Sequence, residues 1–498
     1  MSWVHVFSEE CLMITAIDGG YIVAFDGEKH RILKDGTVVV EDDRIIYVGK
    51  SYVGPVDRRI DARRSLVSPG FIALHSHICG GHGETGRRGD GSRRQLYNSD
   101  LFDRMFPRTR EAARAAAEFN YVEVLKSGCT TLVELGSPNA LGNKEAVELP
   151  DRNGIRAYLL KMYGSGSWHT PDGNRVLYTN FDGETWNENP GFKGLDESKA
   201  FIKKYDGSAD GRIKCLLGPS TVDMCSKALL RESRKAANEM GVGLQTHVSQ
   251  SVVEFQEIMR RHGLTPIEFL HDVGLLGPDL IAGHSILIGG HSKVGYADPW
   301  RRDIKLLAET GTTVAHCPQV FARYGIAMES YARYLMEGVN IGIGTDTYPM
   351  DIIREMSLAA TLSKIVEGEP RVATSRDLFN SVTLSAAKAL GRDDLGRIAP
   401  SCKADIVIVK MNSINMSPVR DPIRNLVMSG NNGDVRTVII DGRVVVENGG
   451  VPGVDEEKLA ENLQREQERI WDMLPSTDVF GRTIDEMTVP SFKDWEDP

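Results

Sequence analysis

A chain of 498 residues is longer than most single domains, and its 41% apolar and 26% charged residues are ordinary for a globular protein. A net charge of −10 argues against a general nucleic-acid binder, whose phosphate-facing surface would be basic. Seven scattered cysteines without Cys-x-x-Cys spacing indicate neither a disulfide framework nor a zinc knuckle. No apolar run reaches membrane-spanning length and residues 1–10 show no targeting pattern, so a cytoplasmic location is expected.

Residues 12–66 are rich in Val, Ile, Gly and turn signals, as in Gly36-Thr37-Val38-Val39-Val40, and read as β-structure. The apolar run that follows, Val67 to Leu74, ends in His75-Ser76-His77. Side chains at i and i+2 share one face of a strand, so the two imidazoles project together, near enough to share a metal ion. Among twelve histidines one such pair is as readily chance as a ligand set. Arg87-Arg88 and Arg93-Arg94 read as a solvated loop.

Between about 80 and 385, short β-like runs alternate with amphipathic stretches. The runs are Thr130–Leu135, Arg156–Met162, Ile213–Leu217, Gly243–His247, Leu280–His284, Thr312–His316 and Asn340–Thr345. Helical patterns include Ala112–Lys126, Ser226–Met240 and Asp303–Glu309. With the strand at Phe71–His77 this makes eight parallel units, which predicts a closed (β/α)8 barrel over 67–394. Residues 395–450 return to β-like composition, with Asp441-Gly442 as a hairpin signal between Val/Ile runs. They are expected to join residues 1–66 in a small composite β-sandwich, followed by a charged helix and tail over 451–498.

The segment from Tyr163 to about Lys199 is a long connection after a barrel strand, where active-site loops lie. Its Trp168, His169, Tyr178 and Trp186 either line an apolar pocket or pack on one another. Three further residues stand at later strand ends: His247, His284 and Asp346. Any one would ordinarily be a core residue. All at C-terminal strand ends, with His75 and His77, they form a constellation.

Pro69-Gly70-Phe71-Ile72-x-x-His75-x-His77, with the order His, His, Asp downstream, resembles the amidohydrolase superfamily. Gly218-Pro219-Ser220-Thr221-Val222-Asp223-Met224-Cys225-Ser226 and Gly311-Thr312-Thr313-Val314-Ala315-His316-Cys317-Pro318 are similar to segments of its atrazine chlorohydrolase and cytosine deaminase-like branch. Gly396-Arg397-Ile398-Ala399-Pro400 and Lys403–Val409 resemble that branch's return into the small domain. The resemblance implies one divalent metal held by His75, His77, His247 and Asp346, most naturally zinc, with iron, cobalt or manganese as alternatives. It makes Asp346 the proton acceptor and His284 the residue that orients the activated water or the polarised substrate oxygen. Binuclear relatives carry a lysine at the end of strand 4; here Lys214 lies at its start, and Lys161 on strand 3 reads as a structural or pocket residue.

Two departures matter. Deaminases of the branch carry His-x-x-Glu, and this chain has His247-Val248-Ser249-Gln250, whose amide can orient a substrate but cannot carry protons. After strand 7 stands Pro318-Gln319-Val320-Phe321, so Phe321 and His316 are expected near the substrate, His316 either as an acid or as a supporting hydrogen-bond partner. The missing glutamate favours hydrolysis of an amide, urea or carbamate, such as an N-aryl urea or thiocarbamate, in line with a looser resemblance to phenylurea and molinate hydrolases. The alternative is a deaminase or dechlorinase of a triazine, pyrimidine or purine ring. A non-catalytic scaffold fits poorly with an intact ligand set. The expected partner is a small molecule, with neither nucleic acid nor membrane, and the family's habit implies a homo-oligomer.

Overall fold

The computed structural model describes residues 13–80, 109–169, 177–179, 186–298, 301–329 and 331–477, together with 480–487, 490–492 and 495. The first four strands are β1 (Ile14–Phe25), β2 (His30–Glu41), β3 (Arg44–Gly49) and β4 (Arg58–Pro69). β1 pairs antiparallel with β2 and parallel with β4.

The barrel strands are β5 (Phe71–Ser76), β6 (Cys129–Leu135) and β7 (Arg156–Tyr163), then, after a short hairpin of β8 (Ser167–His169) and β9 (Leu177–Thr179), β10 (Ile213–Pro219), β11 (Leu244–Val248), β12 (Leu280–His284), β13 (Thr313–His316) and β14 (Asn340–Ile343). Every neighbouring pair from β5 round to β14 is parallel. All residues of β5, β6, β11, β12 and β13 are buried, because helices cover the outer face, and this explains runs that are apolar without alternation. The expected (β/α)8 barrel is present, with strand ends within about two residues of the sequence reading. The helices Arg110–Lys126, Lys227–Met240 and Arg302–Thr310 match their amphipathic patterns. Ser226 caps the second by accepting from Leu229 N, and Gly241 ends it at φ 67°.

Inside the barrel, Ile72, Leu74, Val133, Tyr158, Leu160, Leu216, Ile281 and Ala315 form a packed cluster. The short helix Leu384–Ala389 closes it with Ala386, Ala387 and Ala389, whose small side chains allow a close fit. Burying each large apolar side chain there contributes about 1.5–3 kcal/mol. The seam between β5 and β14 is closed by a bridge from Ser76 to Asp346, with Asp346 N donating to His75 O (2.9 Å) and His77 N to Asp346 O (2.6 Å).

The chain then adds β15 (Ile406–Lys410), β16 (Val435–Ile440) and β17 (Arg443–Glu447) to the first four strands, in the order β17-β16-β15-β4-β1-β2-β3. The two flanks therefore form one seven-stranded sheet with its own core, including Ile17, Ile22, Val38, Ile60, Val67, Ile406 and Ile439. The Asp441-Gly442 hairpin forms as expected, with positive φ at both residues (46° and 75°). A charged helix, Glu456–Thr477, lies against Arg110–Lys126, where Lys126 Nζ meets Glu456 Oε2. Among the described residues, no helix is long and apolar enough to cross a membrane.

Candidate active site

The local sequence explains how β5 presents two histidines. Its pairing with β6 shifts register between Ala73 and Ser76. That irregularity resets the two-residue alternation, so Leu74 and the next residue, His75, both reach the interior. The fit around His75 is close. A Cβ on Gly283 would lie 2.8 Å from His75 Nδ1, and one on Gly344 would lie 2.6 Å from His75 O. Gln245, two residues before His247 on β11, donates its amide N–H to Leu74 O (2.9 Å) and lies 3.0 Å from His75 Nδ1.

The histidines and Asp346 converge. His77 Nδ1 bonds Leu135 O (3.1 Å) and His247 Nδ1 bonds Ser220 O (2.6 Å), which fixes both rings with their Nε2 lone pairs facing inward. Those two Nε2 atoms are 3.2 Å apart, and the rings lie parallel within 5°. His75 Nε2 is buried without a hydrogen-bond partner. Asp346 Oδ1 is 3.8 Å from His77 Nε2, and Oδ2 is 3.6 Å from His284 Nε2. Two overlapping sets, His75 with His77 and His247, and His75 with His284 and Asp346, each lie close enough to share a divalent ion, since ligands about 2.0–2.1 Å from a metal sit roughly 3.4 Å from each other. Asp346 holds its place in a left-handed conformation, φ 55°.

Burial keeps the imidazoles neutral, as ligands must be. Desolvation lowers His77 to about 4, and desolvation together with the neighbouring His77 lowers His247 to about 4. His75 and His284 are pushed well below the ordinary value, first by desolvation and then by their neighbouring histidines.

Beside this cluster lies a cavity of about 590 Å³, bounded by His77, His247, Gln250, Thr347, Met162 and the Lys161–Glu197 pair among others. Gln250 lines it, and its Oε1 is buried without a hydrogen-bond partner. Its backbone is pinned from beneath by Glu254, which accepts from Ser249 N (2.5 Å) and Gln250 N (3.0 Å). Ser251 caps the helix Val252–His262 by accepting from Glu254 N. A buried carboxyl, Glu134, similarly holds the turn after β6 through Ser137 N and the Ser137 hydroxyl.

The structure thus brings His75, His77, His247, His284, Asp346 and Gln250 together. Phe321 is placed differently from expectation: it is buried in an edge-to-face contact with His284, ring centroids 4.7 Å apart, bracing that histidine rather than bordering the cavity. His316 is also buried, 6.0 Å from the Tyr331 ring, with desolvation lowering it to about 3. Trp168 and His169 lie in β8, opposite Tyr178 and Leu177, and their side chains fall outside the described residues. Trp186 stands away from the cavity, stacked on the Arg261 guanidinium at 5.1 Å. Lys214 pairs with Asp206 at the start of β10, far from a ligand position. Sequence reasoning missed Gln245, whose i−2 spacing from His247 was the available signal, and it missed Glu134 and Glu254, for which spacing gives none.

A model of the amidohydrolase family matches residues 66–445. The chain belongs to the amidohydrolase family. It is 32% identical over 442 residues to a 5-methylthioadenosine/S-adenosylhomocysteine deaminase of Thermococcus onnurineus, covering 87% of this chain and 94% of that one. A 5′-deoxyadenosine deaminase of Methanosarcina barkeri is 28% identical over 461 residues, 91% of this chain and 98% of the relative. Among solved structures, a mutant atrazine chlorohydrolase from Arthrobacter aurescens complexed with zinc and atraton superposes with a TM-score of 0.77 at 22% identity, covering 91% of this chain and all of that one. This amidohydrolase is accordingly a hydrolase with a histidine cluster that could hold a divalent metal.

Proposed function

We propose that the chain hydrolyses a carbon–nitrogen bond of a small uncharged substrate, with removal of an amino group from a purine-type ring as the leading reading. The convergence of His75, His77 and His247 nitrogens with the Asp346 carboxylate beside an accessible cavity carries the hydrolytic part. The near full-length relatives support the ring. His75, His77, His247 and Asp346 would hold one divalent ion, zinc being the natural choice. When bound, such an ion supplies Lewis acidity that brings the pKa of water towards neutrality.

The chain's own residues then have separable tasks. Asp346, fully buried, takes the proton from the attacking water and returns it to the departing nitrogen. His284, 3.6 Å from Asp346 and braced by Phe321, orients the oxygen that develops charge. Gln250 Oε1 accepts a substrate N–H, which satisfies an otherwise unmatched buried acceptor.

Gln250 itself favours a second reading. An amide cannot ferry a proton to a ring nitrogen, whereas an amide, urea or carbamate carbon needs no such protonation before attack. A panel of 5′-deoxyadenosine-type nucleosides, aminotriazines and N-aryl ureas, read by ammonia and aniline release, separates the two. Ammonia from the nucleosides, increased at least tenfold by Gln250→Glu, is expected under the leading reading. Aniline from ureas, abolished by the same substitution, would replace it with the second.

A further inference from the structure

The cavity beside the histidines has a second chemical end. Along β7 the side chains alternate: Tyr158, Leu160 and Met162 belong to the barrel-interior cluster, while Ala157, Leu159 and Tyr163 pack outward against the helical layer. Lys161 shares the outward face. It nevertheless borders the same cavity as His77 and His247, so that cavity runs from the barrel mouth over the strand ends and out beneath the helix Asn189–Tyr205. That helix contributes Pro190, Lys193, Gly194 and Glu197 to the wall. Between the two ends the lining is largely apolar, with Leu135, Ala140, Met162 and Met224.

At the outer end Lys161 Nζ is 3.1 Å from Glu197 Oε2, and Lys193 Nζ is 4.0 Å from Glu197 Oε1. Lys161 is half-buried on the strand, and its pairing with Glu197 ties β7 to the helix. As a purely structural tie the pair would contribute little, because Glu197 is 46% exposed and solvent-screened ion pairs add little net stability. Placed on a ligand cavity, the pair instead offers adjacent donor and acceptor groups, each charged and so capable of strong hydrogen bonds.

We infer that the Lys161–Glu197 pair is a subsite for a hydroxyl-bearing tail of the substrate, at the opposite end of the cavity from the reacting carbon. This rests on the cavity being the substrate pocket, and it holds for either bond class proposed above. A diol is the fitting group: one hydroxyl accepts from the Lys161 ammonium while another donates to Glu197, so neither charge loses its partner. A carboxylate tail would gain Lys161 and Lys193 but would meet Glu197 at close range. An unsubstituted alkyl tail would cover part of the ion pair while offering it no hydrogen bond.

The test measures binding by calorimetric titration, with turnover recorded separately, on two matched pairs. One is adenosine against 9-methyladenine; the other is an N-aryl urea with and without a 2,3-dihydroxypropyl substituent. Whichever pair binds, the diol member should bind at least tenfold more tightly to the full-length protein. That preference should collapse in both Lys161→Met and Glu197→Gln, with thermal unfolding showing that each variant is folded. Equal affinity for the two members in the unsubstituted protein would overturn the inference. So would a preference that survives both substitutions, stronger binding of a carboxylate-tailed analogue, or no binding by either pair. Failure of the functional reading shows differently, as binding without ammonia or aniline release.

Discussion

Gly283 gives a way to disturb the histidine cluster without touching a candidate ligand. A methyl group there would sit 2.8 Å from His75 Nδ1 and displace the ring. Gly283→Ala is therefore expected to weaken metal binding by about 10–100-fold, as loss of a ligand-orienting group does, and metal content after dialysis against a chelator measures it. Glu134 gives a pH signature. Burial raises its carboxyl to about 7 despite hydrogen bonds from Ser137 and Ile78. Between the ordinary value of 4.5 and about 7 the folded state holds the proton that the unfolded chain has lost, so stability declines as pH rises through that window. The effect amounts to about 3 kcal/mol at most, and Glu134→Gln should flatten it in urea unfolding at pH 4.5 and 7.5. At this scale the histidines and Asp346 were legible because each ends an apolar run. Glu134 and Glu254 were not, since their partners are backbone amides of loops, and no residue spacing announces which loop a buried carboxyl will meet.

Among the elements, β7 is tied to the small sheet by a buried ionic cluster. Arg156, at its first residue, reaches Asp405 (3.3 Å) and Asp441 (2.6 Å), and Lys403 Nζ lies 3.0 Å from Asp441. Asp405 also accepts from Asp441 N, holding the β16–β17 turn. Removing the guanidinium would strand Asp405 and leave Asp441 with Lys403 alone, so Arg156→Ala should cost about 3 kcal/mol in chemical denaturation. Arg156→Met, which keeps the volume, still leaves the two carboxylates without the guanidinium. Strand positions were readable because the barrel strands are apolar on both faces and bounded by turns. The phase reset in β5 was not, because alternation assumes a regular ladder and this one shifts at Ala73–Ser76. The cavity's outward extension was hidden for a related reason: Lys161 lies on the face that alternation assigns to the helix layer.

For the whole molecule, composition and the strand–helix order sufficed to place a barrel between two β-rich flanks, and the flanks do pair across more than 300 residues of chain, with β4 beside β15. Their register depends on long-range packing, which local sequence does not encode. The same long-range logic applies where the barrel closes on itself. Its last seam is fastened by the backbone of Asp346 to that of His75 and His77, the residues whose side chains form the cluster. The hoop and its clasp are thus one object. The chain cannot spring open there without dismantling its chemistry, and any ion that grips those side chains from within also rivets the circumference.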